Sequence, residues 1–292
     1  MKTSRLRARQ SYRLRLNRLL GAISWWSIML IVGAVFLYPF WWMVTSSFKE
    51  IYEIFAFPPT LLPRVWQWEN YAAVFTFQPF ARHYVNSGYI AVLVTLGTLM
   101  ISSLAGYAFA RISFPGRSIL FLMLLSGLMM PLEVTIVPNF MIMRTFHLTN
   151  THIPLIIIPI LGTGGILATF MMRQYFLGMP SELEDAAMID GLTRVGIFAR
   201  IALPVARPAL AAVAILTFLA SWNAFLEPLI YIDDLAKFTL PLSLRGFTDQ
   251  YGQPVWNIQL AATVLAVLPV LLLYIVAQRQ VVESLSRSGT KG

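Results

Sequence analysis

Long apolar runs alternate along this chain with short polar stretches. Most of the runs hold about 20 residues, the length that an α-helix needs to cross the hydrocarbon core of a bilayer. The pattern predicts an all-α polytopic membrane protein with six transmembrane helices, at about residues 19–44, 84–110, 118–143, 153–172, 208–232 and 255–278. They form one membrane domain, residues 19–282, between tails at 1–18 and 283–292, and a polar segment at 180–204 separates the fourth and fifth spans.

Small residues and prolines distinguish two of the predicted spans. Ser102, Gly106 and Ala110 recur at four-residue spacing in the second span, which favours close packing of that helix face against a neighbour. Pro131 and Pro138 lie in the third span, where each is expected to break the helix. Because a break exposes backbone carbonyl groups, the third span is expected to lie beside protein or a wet cavity.

The polar segment predicts two short helices separated by a glycine. Ser181 is a candidate N-cap of the first helix, and Glu184, three residues later, completes a capping box. Gly191 suits the left-handed position that ends a helix. The second helix is expected to start near Thr193 and to stop before Pro204.

The first of these helices combines negative charge with small side chains. Glu182, Glu184 and Asp185 occupy its first turn, where the helix dipole favours negative charge. Ala186 and Ala187 leave the backbone open to close approach by another surface. The residues alone allow two interpretations: a solvated loop that links two spans, or a segment that another protein contacts.

Composition supports a membrane protein and excludes several other classes. The 292 residues are 58% hydrophobic and only 12% charged, whereas a soluble domain carries about twice that charged fraction. Cysteine is absent, which excludes disulfides and thiolate-bound metal. The three histidines lack the spacing of a helical zinc site, and the glycines at 162–165 are not followed by the lysine of a phosphate loop. We therefore predict no catalytic residue, no metal site and no cofactor bound by this chain.

The basic residues indicate the orientation of the chain. Residues 1–18 hold seven basic residues and no acid, and they are expected to form a disordered cytoplasmic tail rather than an arm that binds RNA or lipid headgroups. With that tail inside, 16 of the 22 basic residues fall on the cytoplasmic side, as the positive-inside rule requires. Both termini and the polar segment are therefore predicted to be cytoplasmic. The net charge of +9 is explained by topology, and nucleic-acid binding is not predicted.

Four polar or aromatic residues within the predicted spans are candidates for a solute path. Glu133 and Glu227 would each cost a few kcal/mol if buried unpaired, so each is expected to face other helices or a wet cavity. Trp222 could stack on a ring of the solute, such as a sugar ring, and Asn223 could hydrogen-bond to it. The structural alternatives stay open: an interfacial or helix-pairing role for Glu133, and a helix–helix contact for Asn223.

The spacing within the polar segment matches a known signature. Asp185-Ala186-Ala187, then Gly191, then Ile201-Ala202-Leu203-Pro204 resembles the cytoplasmic EAA motif of bacterial ABC importer permease subunits, and looks most like the carbohydrate-uptake, maltose-type branch. The first position differs, because Asp185 stands where the family usually has glutamate. Other segments that look like this branch are Phe40–Lys49, Trp68–Tyr71, Asn86–Ser87, Tyr107–Arg111, Phe114–Arg117 and Trp222–Asn223.

The resemblance implies a permease subunit of an ATP-driven importer in a bacterial or archaeal cytoplasmic membrane, which takes up a sugar or sugar-like solute. The implied partners, besides membrane lipid, are a second, non-identical permease subunit, an extracytoplasmic solute-binding protein, and a cytosolic ATPase dimer that holds ATP and Mg²⁺. The first short helix is then a coupling helix that rests in a cleft of the ATPase. The residues expected at this contact are Glu182, Glu184, Asp185, Ala186, Ala187, Asp190, Gly191, Ile201, Leu203 and Pro204.

Functions of two other classes stay open at this point. A six-span ion-coupled carrier or channel could use Glu133 and Glu227 as ion or proton sites. An intramembrane enzyme is a further alternative, which no catalytic motif in the sequence supports. The residues do not identify the transported solute.

Overall fold

The described part of the chain is helical. A computed structural model describes residues 2–248 and 251–288, with side chains for 21–131, 133–248, 251–276 and 278. An isolated bridge between Thr248 and Pro254 is the one β-type pairing within these ranges, so the predicted all-α class is confirmed. Positions 289–292 of the predicted C-terminal tail lie outside the described residues. The α-helices are α1 (Lys2–Ser46), α2 (Ile51–Ile54), α3 (Glu69–Phe77), α4 (Phe80–Arg111), α5 (Arg117–Ser126), α6 (Leu132–Thr145), α7 (Ile153–Leu161), α8 (Thr163–Leu177), α9 (Glu182–Ile189), α10 (Arg194–Ile197), α11 (Leu203–Val205), α12 (Arg207–Trp222), α13 (Leu226–Tyr231), α14 (Leu240–Leu244) and α15 (Trp256–Ser288).

Four helical segments of the described chain are long and apolar enough to cross a membrane: Gly21–Ser46, Phe80–Arg111, Ile153–Leu177 and Trp256–Val276. They correspond to the first, second, fourth and sixth predicted spans. The third predicted span coincides with the bent pair Arg117–Met129 and Glu133–Thr145. The fifth overlaps only the second half of another bent pair, Arg194–Val205 and Arg207–Trp222, and the number rises to six if each bent pair is one span.

The N-terminal tail differs from its prediction. α1 begins at Lys2, so the backbone of residues 2–18 continues the first helix, and the expected disorder is wrong. The basic side chains of this tail lie outside the described residues.

A proline divides the third predicted span. The chain turns by 103° between Arg117–Met129 and Glu133–Thr145. Pro131, at the bend, has an extended backbone (φ −66°, ψ 144°) and no N–H to donate to the preceding turn. Pro138 lies inside α6, so the predicted break is correct at the first proline and wrong at the second.

The fifth predicted span is not one continuous helix, because residues 223–225 separate α12 from α13. The side chain of Asn223 donates to the carbonyl of Leu219 (2.8 Å) and so competes with continuation of the helix. Pro228 has no N–H for the carbonyl four residues earlier, and its ring would clash with that carbonyl in a continuous helix. Instead, α12 forms a bent pair with Arg194–Val205, at an angle of 74°.

The chain divides into two compact units. One comprises the described residues of Met1–Ala72 and Val255–Val264, and the other those of Ala73–Pro254 and Leu265–Gly292. The second unit contains the polar segment and all four solute-path candidates.

In the first unit, a buried lysine connects the end of α1 to the segment that follows α2. The side chain of Lys49 is fully buried; its Nζ donates to the carbonyl of Thr60 (2.6 Å) and lies 4.2 Å from the ring centre of Trp42. Glu53, also buried, accepts hydrogen bonds from the hydroxyl of Thr60 (2.9 Å) and the backbone N–H of Arg64 (3.0 Å). Removal from solvent lowers the pKa of Lys49, and the nearby carboxylate of Glu53 opposes that shift.

In the second unit, α4 is the central helix and contacts α7, α8, α12 and α14. Its predicted small-residue face is confirmed. Ser102 and Ala110 are buried, and a Cβ added at Gly106 would lie 2.7 Å from the Cβ of Met172 and 2.9 Å from the backbone N of Arg173. Glycine at this position therefore permits the close approach of α4 and α8.

We predict that Gly106→Ala lowers the free energy of unfolding by about 1–3 kcal/mol, because the added methyl group overpacks the contact between α4 and α8. The measurement is thermal unfolding of the purified protein in mild detergent, followed by tryptophan fluorescence. Gly88→Ala is the matched control, since a Cβ at Gly88 of the same helix meets no atom within 4 Å. Equal unfolding midpoints for the two variants would contradict the prediction.

Candidate functional site

The polar segment forms the two short helices that its sequence predicts, α9 and α10. Gly191 has a left-handed backbone (φ +81°), and its N–H donates to the carbonyl of Met188 (3.0 Å), so the predicted end of the first helix is confirmed. The hydroxyl of Thr193 accepts a hydrogen bond from the N–H of Gly196 (3.2 Å), which confirms the predicted start of the second helix.

The predicted capping box at the start of α9 is absent. The Ser181 side chain makes no capping hydrogen bond, and its backbone is already helical (φ −69°, ψ −26°). The backbone carbonyl of Ser181 instead accepts from the N–H groups of Glu184 (2.9 Å) and Asp185 (3.0 Å). The prediction fails because the carboxylate of Glu184 points to two arginines rather than back to the helix terminus.

Glu184 lies in a buried ionic cluster. Its Oε1 lies 3.5 Å from the Nε of Arg111, and its Oε2 lies 3.8 Å from a terminal nitrogen of Arg194. The side chains of Glu184 and Arg111 are 7% and 14% exposed, so two opposite charges share a site with little water. Arg111 also donates to the backbone carbonyls of Phe176 (2.9 Å) and Met179 at the end of α8. This cluster joins α4, the end of α8, α9 and α10.

The expectation that Glu184 and Ala187 face a partner protein is therefore wrong. Both are buried, Ala187 with 5% of its surface exposed, because they lie on the side of α9 that packs against this chain. Ala186, the residue before Ala187, is exposed. The sequence could not distinguish the two alanines without knowing where the arginine partners of Glu184 lie.

The opposite side of α9 is exposed and carries four of the ten expected contact residues. We define the outward face as Glu182, Asp185, Ala186, Ile189 and Asp190, all of which are exposed. Their spacing is that of one helix face. Ile189 was not among the expected residues, yet it is 87% exposed beside two carboxylates. The three- and four-residue spacing from Ala186 and Asp185 could have identified it.

The second half of the polar segment continues further than predicted. The chain passes from α10 through one wide π-helical turn, Phe198–Ala202, into α11, so the helical backbone does not stop before Pro204. Pro204 is the second residue of α11 and follows the π-helical turn closely. Pro204 is exposed, whereas Ile201 and Leu203 are partly buried. Ala202 is fully buried in a core cluster with residues of α4 and α8, which anchors this half of the segment.

A cavity of about 440 Å³ lies within the second unit. Its lining comes from α4, the bend between α5 and α6, the break between α7 and α8, and the region around α12 and α13. Most of the lining side chains are apolar. The polar lining residues are Thr135, Asn139, Thr163, Thr217, Ser221, Glu227 and Thr239.

Of the four solute-path candidates, Glu227 lines this cavity and the other three do not. Trp222 is buried; its indole N–H donates to the carbonyl of Ala266 (3.2 Å) and its ring stacks on Phe218, so the expected stacking on a sugar is wrong. Asn223 is exposed and its side chain bonds to its own helix. Glu133 is exposed in the first turn of α6.

We predict that Glu184→Gln lowers the free energy of unfolding by roughly 3 kcal/mol, because it leaves the buried charge of Arg111 uncompensated. Thermal unfolding in mild detergent measures the effect. Glu182→Gln is the matched control, as Glu182 is exposed in the same helical turn and makes no ion pair within the described residues. If the two variants unfold at the same temperature, the ionic cluster does not hold α9.

Comparisons of the sequence and of the fold with known proteins all find membrane components of transport systems. Residues 98–287 match the model of a family described as binding-protein-dependent transport system inner membrane component. The arabinooligosaccharides transport system permease protein AraQ of Halalkalibacterium halodurans is 36% identical over 278 residues, which are 92% of this chain and 97% of AraQ. The diacetylchitobiose uptake system permease protein NgcG of Streptomyces coelicolor is 34% identical over 90% of this chain and 84% of its own. Among solved structures, a bacterial ABC transporter involved in the import of the acidic polysaccharide alginate has a similar fold, with a TM-score of 0.78 at 21% identity over 91% of this chain and 97% of that chain.

Proposed function

The chain belongs to the family of binding-protein-dependent transport system inner membrane components, and we propose that it imports a sugar or sugar-like solute as a permease subunit of an ATP-driven transporter. It is a helical ABC permease of the bacterial cytoplasmic membrane. The similarity to AraQ over 92% of the chain carries the proposal, because AraQ is a permease protein for arabinooligosaccharides.

The proposed topology has six spans, two of them bent. Both termini and α9 lie in the cytoplasm, and α9 is the coupling helix between the fourth and fifth spans. The distribution of basic residues along the sequence supports this orientation. The bent pair Arg117–Thr145 supports a third span if it crosses the membrane once, and α12 supports the fifth, whose preceding segment Arg194–Val205 belongs to the cytoplasmic polar segment.

The proposed partners are a second, non-identical permease subunit, a solute-binding protein outside the membrane, and a cytosolic ATPase dimer. ATP and Mg²⁺ bind to the ATPase subunits, which supply the energy for transport. The family description, which names a binding-protein-dependent system, supports the solute-binding protein. The alternative of an ion-coupled carrier has no support from the family, and the structure places Glu227 in the lining of a cavity that Glu133 does not line.

We propose that the outward face of α9 contacts the ATPase. Ile189 supplies an exposed apolar side chain, Ala186 permits close approach, and the carboxylates of Asp185 and Asp190 offer hydrogen-bond acceptors. An apolar centre with a polar rim is the usual composition of a protein–protein contact. Glu184 has a different role, because its ion pairs transmit a displacement of α9 to α4 and to the end of α8.

We predict that Ile189→Glu abolishes binding of the ATPase, because it places a charge at the apolar centre of the contact. The chain is purified with an affinity tag from its native membrane in mild detergent, and the ATP hydrolysis of the eluate is measured. The unchanged chain is expected to carry ATPase activity into the eluate, and the variant at least tenfold less.

Leu235→Glu is the matched control for this experiment. Leu235 is an exposed leucine (48% exposed) in the segment between α13 and α14, which the proposed topology places on the other side of the membrane. This variant is expected to retain the ATPase. An eluate of the unchanged chain without ATPase activity would contradict the proposed function, and retention by Ile189→Glu would contradict the proposed contact face.

A further inference from the structure

Among the described residues, one ionisable side chain lines the cavity of the second unit, and it is acidic. Glu227 contributes to the lining, and no described lysine, arginine or histidine does. The other polar lining residues, such as Asn139, Thr217 and Ser221, are uncharged. The lining that this chain supplies is therefore mainly apolar, with hydroxyl and amide groups and a single negative charge.

The carboxylate of Glu227 has no hydrogen-bond or ion-pair partner in the part of the chain that the structure describes. The phenol of Tyr231, one helical turn later, lies close enough to interact with it electrostatically. The break at residues 223–225 starts α13 just before Glu227, so the local backbone, and not a salt bridge, directs this side chain to the cavity. A charge at membrane depth is unfavourable unless water, a counter-charge or hydrogen-bond donors compensate it.

Polyhydroxylated solutes supply the donors that such a carboxylate lacks. An ionised carboxylate only accepts hydrogen bonds, and it accepts them most strongly because it is charged. Sugar hydroxyls donate such bonds, whereas a phosphate, sulfonate or uronate group brings a second negative charge into the same low-dielectric space. Two like charges about 6 Å apart in such a site disfavour the bound state by about 10- to 100-fold. The volume of about 440 Å³ lies in the range of small-molecule pockets.

We infer that Glu227 is a specificity residue of the solute path, which accepts hydrogen bonds from an uncharged polyhydroxylated solute and disfavours anionic ones. This inference rests on the proposed function and narrows its substrate class. It agrees with the arabinooligosaccharides of AraQ, which are built from a neutral sugar.

The absence of cysteine from the chain allows a direct test of the charge in the cavity. Ser221→Cys places a single thiol in the lining with little change in size. The complete importer, with cysteine-free partner subunits, is reconstituted in nanodiscs. The thiol is then reacted with a cationic and an anionic methanethiosulfonate reagent, and the ratio of the two rates is divided by the same ratio for a small free thiol in solution.

The normalised ratio is expected to favour the cationic reagent by about tenfold or more, and Glu227→Gln in the same background is expected to bring it close to one. Glu133→Gln is the matched control and is expected to leave the ratio unchanged, because Glu133 does not line the cavity. If the normalised ratio is near one with Glu227 present, the inference is overturned. The cavity then carries no net negative charge, because a cation of the second permease subunit neutralises Glu227. An equal effect of the two glutamine variants would also overturn it.

Failure of this inference and failure of the proposed function are distinguishable. The rate ratio requires no ATP and no knowledge of the solute, so it reports the charge of the cavity alone. The proposed function fails instead if the purified chain carries no ATPase, whatever the rate ratio is.

Discussion

The structure of the polar segment depends on the pairing of one buried carboxylate, that of Glu184, with two arginines. Glu184 extends from α9 between Arg111, at the end of α4, and Arg194, at the start of α10, at ion-pair distances of 3.5 and 3.8 Å. Because an unpaired buried charge costs several kcal/mol, this pairing strongly favours one rotation of α9 about its axis. That rotation buries Ala187 and exposes Ile189 on the opposite side. The ion pair of Glu184 with Arg111 thus decides which residues lie on the outward face of α9, although neither residue belongs to that face.

The same cluster connects α9 to the membrane helices. Arg111 donates to backbone carbonyls at the end of α8 while it pairs with Glu184, so three helices meet at one charged junction. Further along, Gly106 lets α4 and α8 approach at backbone distance, and the two helices are therefore expected to move together. The cavity adjoins this pair of helices, with lining residues on both. In the proposed importer, a displacement of α9 would reach the solute path through α4 and α8.

The sequence predicted features that depend on local chemistry and missed those that depend on distant partners. Four of the six predicted apolar helices, the small-residue face of α4 and the left-handed Gly191 follow from hydropathy, spacing and backbone preference, and these are present in the described chain. The capping box failed because Arg111, far away in sequence, competes for Glu184. Trp222 was expected in a solute path, but its indole N–H finds the carbonyl of Ala266 on another helix. Pro138 was expected to break a helix that in fact contains it. Only the folded chain shows which side of α9 is exposed.

Cysteine reactivity on the two faces of α9 tests this account most directly, because the chain has no native cysteine. Ala186→Cys and Ala187→Cys are labelled with a water-soluble maleimide, in the isolated chain and in the complex with its ATPase. The account predicts that Ala186→Cys reacts rapidly in the isolated chain and is protected at least tenfold in the complex. Ala187→Cys should react slowly in both. Equal reactivity at the two positions, or reactivity of Ala186→Cys that the ATPase does not change, would contradict it.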